Sequence, residues 1–328
     1  MKLRHAIFSA TSIAALTLSA SAAFADVLKF AHVYETSHPL HAAALEAAEM
    51  FEERTDGRHS IEVFPASSLG KEDALNEGLN LGTVDIIYTG PGFAGSIYGP
   101  AAMTDFPFTL RNLNHWAAYF DSDLFQEISA GYTDASGGNL ITSVSYYGSR
   151  HVTANRAILT PADMQDLKIR VPNAPAYVLF PQALGANPTP MAFAEVYLAL
   201  QQGVVDAQEN PLTTIQAKRF YEVQSHINLT GHITNSIYTV VSGIRVAQLS
   251  DEDMAILDEI LDETAQHSTD AIIAAEAELV AWFRDQGITV NEVDRMPFLE
   301  AVAPALTSGE LPFTTEMYEQ LQAIPDAE

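Results

Sequence analysis

Apolar residues along this chain keep switching between two spacings. "VLKFAHV" (27–33) is a short run of strand type, whereas in "SHPLHAAALEAAEMFEERTDG" they recur at 40, 44, 47, 48 and 51, the stripe of a helix. Ser37 is placed to cap that helix, Pro39 suits its first turn and Gly57 stops it. "HSIEVFPA" (59–66) reads as a strand. "KEDALNEGLNLGTVDIIYTG" reads as a short helix, a turn at Gly82 and a strand at 84–88. Strand, helix, strand, helix, strand builds a parallel sheet with helices outside it.

A second α/β unit follows over about 148–235. "LITSVSYYGSRHVTAN" is strand-rich, "TPADMQDLKIRVPNAP" gives a capped helical turn and a strand at 168–171, and "YVLFPQALGANPTPM" gives a helix and a loop. In "AEVYLALQQGVVDAQENP" a helix within 192–202 leads to a strand at 204–208 and then to Asn210. "SIYTVVSGIRVAQLS" supplies strands that return to the first sheet. The longest helical pattern runs from 251 to 286, with apolar residues at 254, 257, 260, 261, 265, 272, 275, 279 and 283, and Gly287 after it. At about 1.5 Å per residue it is roughly 50 Å long, more than the roughly 30–35 Å breadth of one such domain. A helix crossing both units is expected, the alternative being two helices broken near His267-Ser268-Thr269. The expected lobes are 26–147 with 236–275, and 148–235 with 276–328. Two such lobes place a ligand in the cleft between them, beyond the carboxyl ends of strands.

The first residues stand apart from this fold. Lys2, Arg4 and His5 precede an apolar, small-residue run over 6–23, and Ala23-Phe24-Ala25 has the A-x-A form of a cleavage site. Residues 1–25 therefore read as a secretory signal peptide, with Asp26 the mature start. The run holds Ser and Thr and falls short of the roughly 20 residues a membrane span needs. Net charge is −26, and loss of Lys2 and Arg4 makes it −28 (−26 − 2). Such acidity argues against nucleic acid or anionic membrane as partner. At 48% hydrophobic residues the chain is not acidic disorder. It has no cysteine, which excludes disulfides and thiol chemistry.

Candidate chemistry narrows quickly. "GPGFAG" (90–95) has the G-x-G-x-x-G form after a strand, but Pro91 stiffens it and Gly99-Pro100 cuts it short, so the long helix of a dinucleotide site is missing. Its backbone amides and Tyr88 remain candidates to face a ligand. His38 and His41 stand three apart at a helix start with no HExxH pattern or third ligand, so neither a metal nor a cofactor is expected; His38 stays a candidate cleft residue. No G-x-S-x-G elbow marks a hydrolase. Only 16 basic residues stand against 42 acidic ones, which draws attention to Arg150 in "YYGSRH" and Arg170 in "LKIRVPN", each near the end of a second-lobe strand. A guanidinium fork holds a carboxylate bidentately.

"DLKIRVPNAP", "LGANPTPMAFAEVYLALQQGVVDAQENP" and "QAKRFYEVQSHINLTGHI" resemble the DctP-type solute-binding proteins of tripartite ATP-independent periplasmic (TRAP) transporters. The similarity runs from about residue 27 to 300, and the segment 160–235 is similar to the sialic-acid-binding members. The resemblance implies a two-lobed periplasmic binding protein fold, each lobe a mixed sheet flanked by helices, with a long helix spanning both. It implies a periplasmic receptor, not an enzyme, that closes around one small organic anion and delivers it to a membrane permease. On this resemblance Arg170 falls on the family's main carboxylate-binding arginine and Arg150 on a second arginine. Asn210 falls on an asparagine that contacts the ligand and helps hold the main arginine, and Phe193 on an aromatic beside the ligand. Where the sialic-acid binders carry a Glu and an Arg after "VDIIY", this chain has Gly90 and Phe93, and an early Asn is replaced at about Val33. Lys168 stands where ectoine binders have an aromatic. With Tyr88, Tyr147, His38 and Glu72 added, the expected site suits a carboxylate bearing several hydroxyls. A sugar acid such as a hexuronate or aldonate is favoured. A C4-dicarboxylate or keto acid is the alternative, and an exported hydrolase the alternative of another class.

Overall fold

The computed structural model describes residues 26–307 and 311–327, so the expected signal peptide lies outside the described residues. Within them one mixed sheet contains β1 (Asp26–Ala31), β2 (His59–Phe64), β3 (Ile86–Thr89), β4 (Leu140–Ala154), β5 (Lys168–Val171), β6 (Asn187–Pro190), β7 (Ala207–Asn210), β8 (His226–Val241) and β9 (Thr289–Glu292). Its order is β2-β1-β3-β8-β4-β7-β5-β6, with β9 beside β8. β1, β2 and β3 are mutually parallel, as are β5, β6 and β7. The long antiparallel pair β4/β8 joins the two parallel blocks, which are the cores of two lobes.

The register of β4 against β8 shifts between Tyr146 and Gly148, opposite Ser236 and Asn235. Gly148 has φ +111°, and a Cβ there would lie 2.8 Å from both Glu276 Oε1 and Pro211 Cβ, so the position needs glycine. The bulge turns two backbone N–H groups outward. Tyr146 N–H donates to Thr269 Oγ1 (3.0 Å) and Ser149 N–H to Glu276 Oε1 (2.8 Å). Both acceptors belong to the helix Asp251–Asp285, which crosses the strand pair there.

That helix is continuous through His267–Thr269. Ser250 caps it by accepting from the Asp253 N–H, and three acidic residues in its first turn complement the helix dipole. Toward its start, Glu259 and Glu263 pair with Arg54 of the helix Pro39–Arg54 in the first lobe. Small Ser268 lets it approach β4, donating to Ser145 Oγ at 2.9 Å. Toward its end, Trp282 and Phe283 pack on Tyr221 of the second lobe. Among the described residues no helix is long and apolar enough to cross a membrane.

Some local details differ from the sequence reading. His38, not Ser37, caps the first helix, its Nδ1 accepting from the Leu40 N–H. The strand expected at 204–208 forms at Ala207–Asn210, so Asn210 ends it instead of following it. The proline segment Asn187–Pro190 is a strand at the sheet edge, where a missing N–H interrupts no ladder. Beyond 276 the chain first packs on second-lobe elements, with β9 paired to β8 over His226–Leu229 and the helix Met296–Val302 against Ala176–Ala183, and then leaves them. Its last helix, Thr315–Ala323, packs on the helix Asp123–Ala135 of the first lobe. Arg111 holds the end there, donating to the Ile324 carbonyl and pairing with Asp326.

Candidate ligand-binding site

A cavity of about 210 Å³ lies between the lobes, small beside the roughly 300–1,000 Å³ of drug-sized sites. The first lobe contributes Tyr34, Glu72, Gly90 and Phe93; β4 and β8 contribute Tyr147, Arg150 and Asn235; the second lobe contributes Arg170, Asn173, Tyr177, Phe193 and Asn210. Six of the sequence-predicted residues thus meet at one cavity: Arg170, Arg150, Asn210, Phe193, Tyr147 and Glu72. Tyr88 and His38 do not border it. Tyr88 turns into the core against Phe30, with ring centroids 4.7 Å apart, while the next residue, Thr89, faces Glu72. His38 stands behind the wall, stacked on Tyr34. The cleft is bridged by an ion pair from Lys218 to Glu35, and Lys218 lies 5.0 Å over the Phe193 ring.

The two arginines divide their work. Arg150 and Glu209 come together because β4 and β7 are paired, with Val152 opposite Glu209. Arg150 Nε and Nη2 take both Glu209 carboxylate oxygens, Nη1 donates to Asn235 Oδ1 (2.8 Å) and Nη2 also to Asn210 Oδ1 (3.2 Å). Burial alone would push the Glu209 carboxyl up, but Arg150 and His232 hold it below its ordinary range. Arg150 is therefore neutralised from within. Asn210 braces Arg150, and its Nδ2 donates to Gln208 Oε1 (2.5 Å); among the described residues no hydrogen bond joins it to Arg170, the contact that the resemblance implied.

Arg170 is 2% exposed, yet the one hydrogen-bond acceptor of its guanidinium among the described residues is a carbonyl: Nε and Nη2 both donate to Met191 O, at 3.1 and 2.7 Å. Among the described residues it has no ion-pair partner. Burial pulls its pKa down to about 10, the mark of a cation short of compensation. It stays charged at neutral pH and borders the cavity with donors to spare.

The tyrosines have fixed polarities. His38 Nδ1 accepts from Leu40, and burial lowers this histidine to about 3, so its proton sits on Nε2 and donates to Thr214 Oγ1 (3.3 Å). Thr214 then donates to Tyr147 Oη (2.6 Å), which leaves the Tyr147 O–H free as a donor. Tyr177 is the reverse. Its O–H donates to Asp105 Oδ2 (2.5 Å), leaving an acceptor oxygen. Asp105 also takes the Gly92 N–H (2.6 Å) and Asn235 Nδ2 (2.5 Å). Burial pushes its carboxyl up, to about 6, so it is ionised at neutral pH.

Glu72 Oε1 accepts from the Gly90 N–H (2.7 Å) and Thr89 O–H (3.2 Å), while burial pushes the carboxyl from 4.5 to about 7. The folded protein therefore holds this proton where the unfolded chain has released it, and stability falls as pH rises through that window. Relative to Glu72→Gln, which exchanges no proton, the ligand-free wild type should lose stability from pH 4.5 to about 7 and level off above. Parallel melting curves check this; a constant difference across the window would mean that Glu72 ionises as in water.

Comparison with known proteins places this architecture. Residues 30–310 match the family described as bacterial extracellular solute-binding protein, family 7, or DctP. The chain belongs to that family. This DctP protein is 35% identical to the sialic acid-binding periplasmic protein SiaP of Vibrio cholerae, over 89% of this chain and 92% of that one. It is 35% identical to a solute-binding protein of Roseobacter denitrificans, covering 91% of each. The crystal structure of that Roseobacter TRAP protein with bound L-galactonate superposes with a TM-score of 0.85 at 32% identity, covering 91% of this chain and 98% of the other. Another from the same organism, with bound β-D-glucuronate, gives 0.86 at 28% identity, covering 92% and 100%. DctP proteins are solute-binding receptors, and these solved neighbours are periplasmic, with two-lobed folds.

Sequence reasoning passed over Tyr34, Asp105, Asn173, Tyr177, Glu209 and Asn235 in this DctP protein. Asn173 and Tyr177 follow the strand that carries Arg170, so the rule of searching beyond strand ends reaches them. Glu209 stands beside Asn210 in "QENP". Asp105 and Asn235 have no local signal, since only the tertiary fold brings them together.

Proposed function

We propose that this DctP protein is the periplasmic receptor for a sugar acid, a hexuronate or aldonate, which it encloses between its lobes and delivers to a TRAP permease. The observation that carries the reading is Arg170, a buried cation facing the cavity with no carboxylate partner among the described residues. A ligand carboxylate supplies that partner, with Phe193, whose ring lies 6.0 Å from the guanidinium carbon, packed alongside. Arg150 keeps one side-chain N–H beyond its protein bonds and acts chiefly as a neutral wall with Asn210. The rest of the cavity separates donors from acceptors: Tyr147 offers a proton, while Tyr177 accepts, as does Glu72 in the form ionised above about pH 7. A chain with a carboxylate at one end and hydroxyls beyond it satisfies both. Above about pH 7, where Glu72 is ionised, a C4-dicarboxylate would set a second anion against it. The sugar acids bound by the Roseobacter relatives support the same class. Closure turns about the Gly148 bulge, with the lobes parting at 147/148 and 235/236. The export signal at 1–25 belongs to this reading.

A thermal-shift screen of uronates, aldonates, C4-dicarboxylates and keto acids tests it. A ligand at a hundred times its Kd stabilises by about 2.7 kcal/mol, so a melting rise of several degrees is expected for a hexuronate or aldonate, with the compound recovered unchanged. A larger rise with succinate overturns the sugar-acid class, and turnover of the compound overturns the receptor.

A further inference from the structure

We infer that Tyr177 is the specificity wall of the cavity, limiting the length of acid that the closed protein accepts; this rests on the sugar-acid reading above. Tyr177 belongs to the second-lobe helix Ala176–Ala183 but is fastened to the first lobe. Its hydroxyl donates to Asp105, one ring face carries the Arg150 guanidinium at 4.9 Å, and its edge lies against Gly92. A Cβ at Gly92 would fall 2.9 Å from Tyr177 Cε2, and one at Gly90 would fall 3.0 Å from Tyr177 Oη and 3.6 Å from Glu72 Oε1. The ring thus fills the space that first-lobe side chains at 90 and 92 would occupy. Two bare glycines let it approach that closely. Only 4% exposed and held at its tip, face and edge, the ring does not yield to a longer ligand. Because Asp105 and Gly92 come from one lobe and Tyr177 from the other, the wall is completed only in the closed cleft. Arg170 and Tyr177 line the same cavity of about 210 Å³, so an acid anchored at Arg170 meets this ring as its chain lengthens. An acid with a longer tail would have to displace the ring itself from between the Arg150 guanidinium and Gly92 to be enclosed.

The test is isothermal titration of wild type, Tyr177→Phe, Tyr177→Leu and Tyr177→Ala with galactonate, glucuronate, the eight-carbon acid 3-deoxy-octulosonate and the nine-carbon acid N-acetylneuraminate. Wild type should favour the six-carbon acids, Tyr177→Phe should keep that preference, and Tyr177→Ala should narrow it by about tenfold or more, with Tyr177→Leu between. Circular dichroism confirms folding, and Tyr177→Leu keeps the test open if Tyr177→Ala does not fold. An unchanged preference in folded Tyr177→Leu or Tyr177→Ala overturns the wall alone. A wild type that takes none of these acids overturns the sugar-acid reading and this inference with it.

Discussion

Arg170→Lys is expected to weaken ligand binding by about 2–5 kcal/mol, roughly thirtyfold to several thousandfold in Kd, while the ligand-free protein melts within a few degrees of wild type. The split follows from geometry. Among the described residues Arg170 hydrogen-bonds only to the Met191 carbonyl, a single acceptor that an ammonium also satisfies. Toward the ligand the two side chains are not equivalent. The guanidinium offers a planar pair of donors matched to both oxygens of a carboxylate, whereas lysine offers a point charge on a flexible stem. Keeping the charge while removing the fork therefore separates plain electrostatic attraction from bidentate recognition. Titration calorimetry with the best acid from the screen decides between them. Wild-type affinity in the lysine variant would mean that charge alone suffices, and that Arg170 is not the carboxylate clamp.

The parts of this protein that were legible in its sequence are those where periodicity or composition carries the information locally. The strand at 168–171 and the helix from 251 onward follow from apolar spacing, and the scarcity of basic residues singled out Arg170. Tyr88 shows where such reasoning stops. All four residues of β3 are buried, so no polar–apolar alternation marks which face meets the cavity, and a shift of one residue separates Tyr88 in the core from Thr89 at Glu72. Arg150 shows a second limit. Its partner Glu209 is 59 residues away and reaches it only through the β4/β7 pairing, so the arginine looked free when it was not. The last helix carries no cue to what it packs on: the residue that meets its end, Arg111, lies 215 residues from its partner Asp326.

Glu209→Gln should be the most destabilising single change at the site, by about 3–5 kcal/mol, or roughly 2–4 °C of melting temperature for each kcal/mol. Glu209 is 1% exposed and Arg150 2%, so the variant leaves a guanidinium buried without its counter-ion. His232 loses an acceptor as well, since its Nε2 lies 3.3 Å from Glu209 Oε2 and its ring is packed flat on Phe180. Replacing both partners, Arg150→Met with Glu209→Met, should recover most of the loss, because a buried pair exchanged for apolar side chains is often close to neutral. The same logic reaches specificity. In wild type, Glu209 cancels Arg150, and Arg170 is the buried cation at the cavity that has no carboxylate partner among the described residues, the exposed Lys71 also lining it; one buried, unpaired guanidinium suits one ligand carboxylate. Glu209→Gln exposes a second cation, so sugar dicarboxylates should gain on aldonates and restore part of the lost stability when bound. Melting curves with and without an aldarate read both effects. A variant that melts like wild type, or that keeps the wild-type preference for monocarboxylates, would mean that Glu209 is not what silences Arg150.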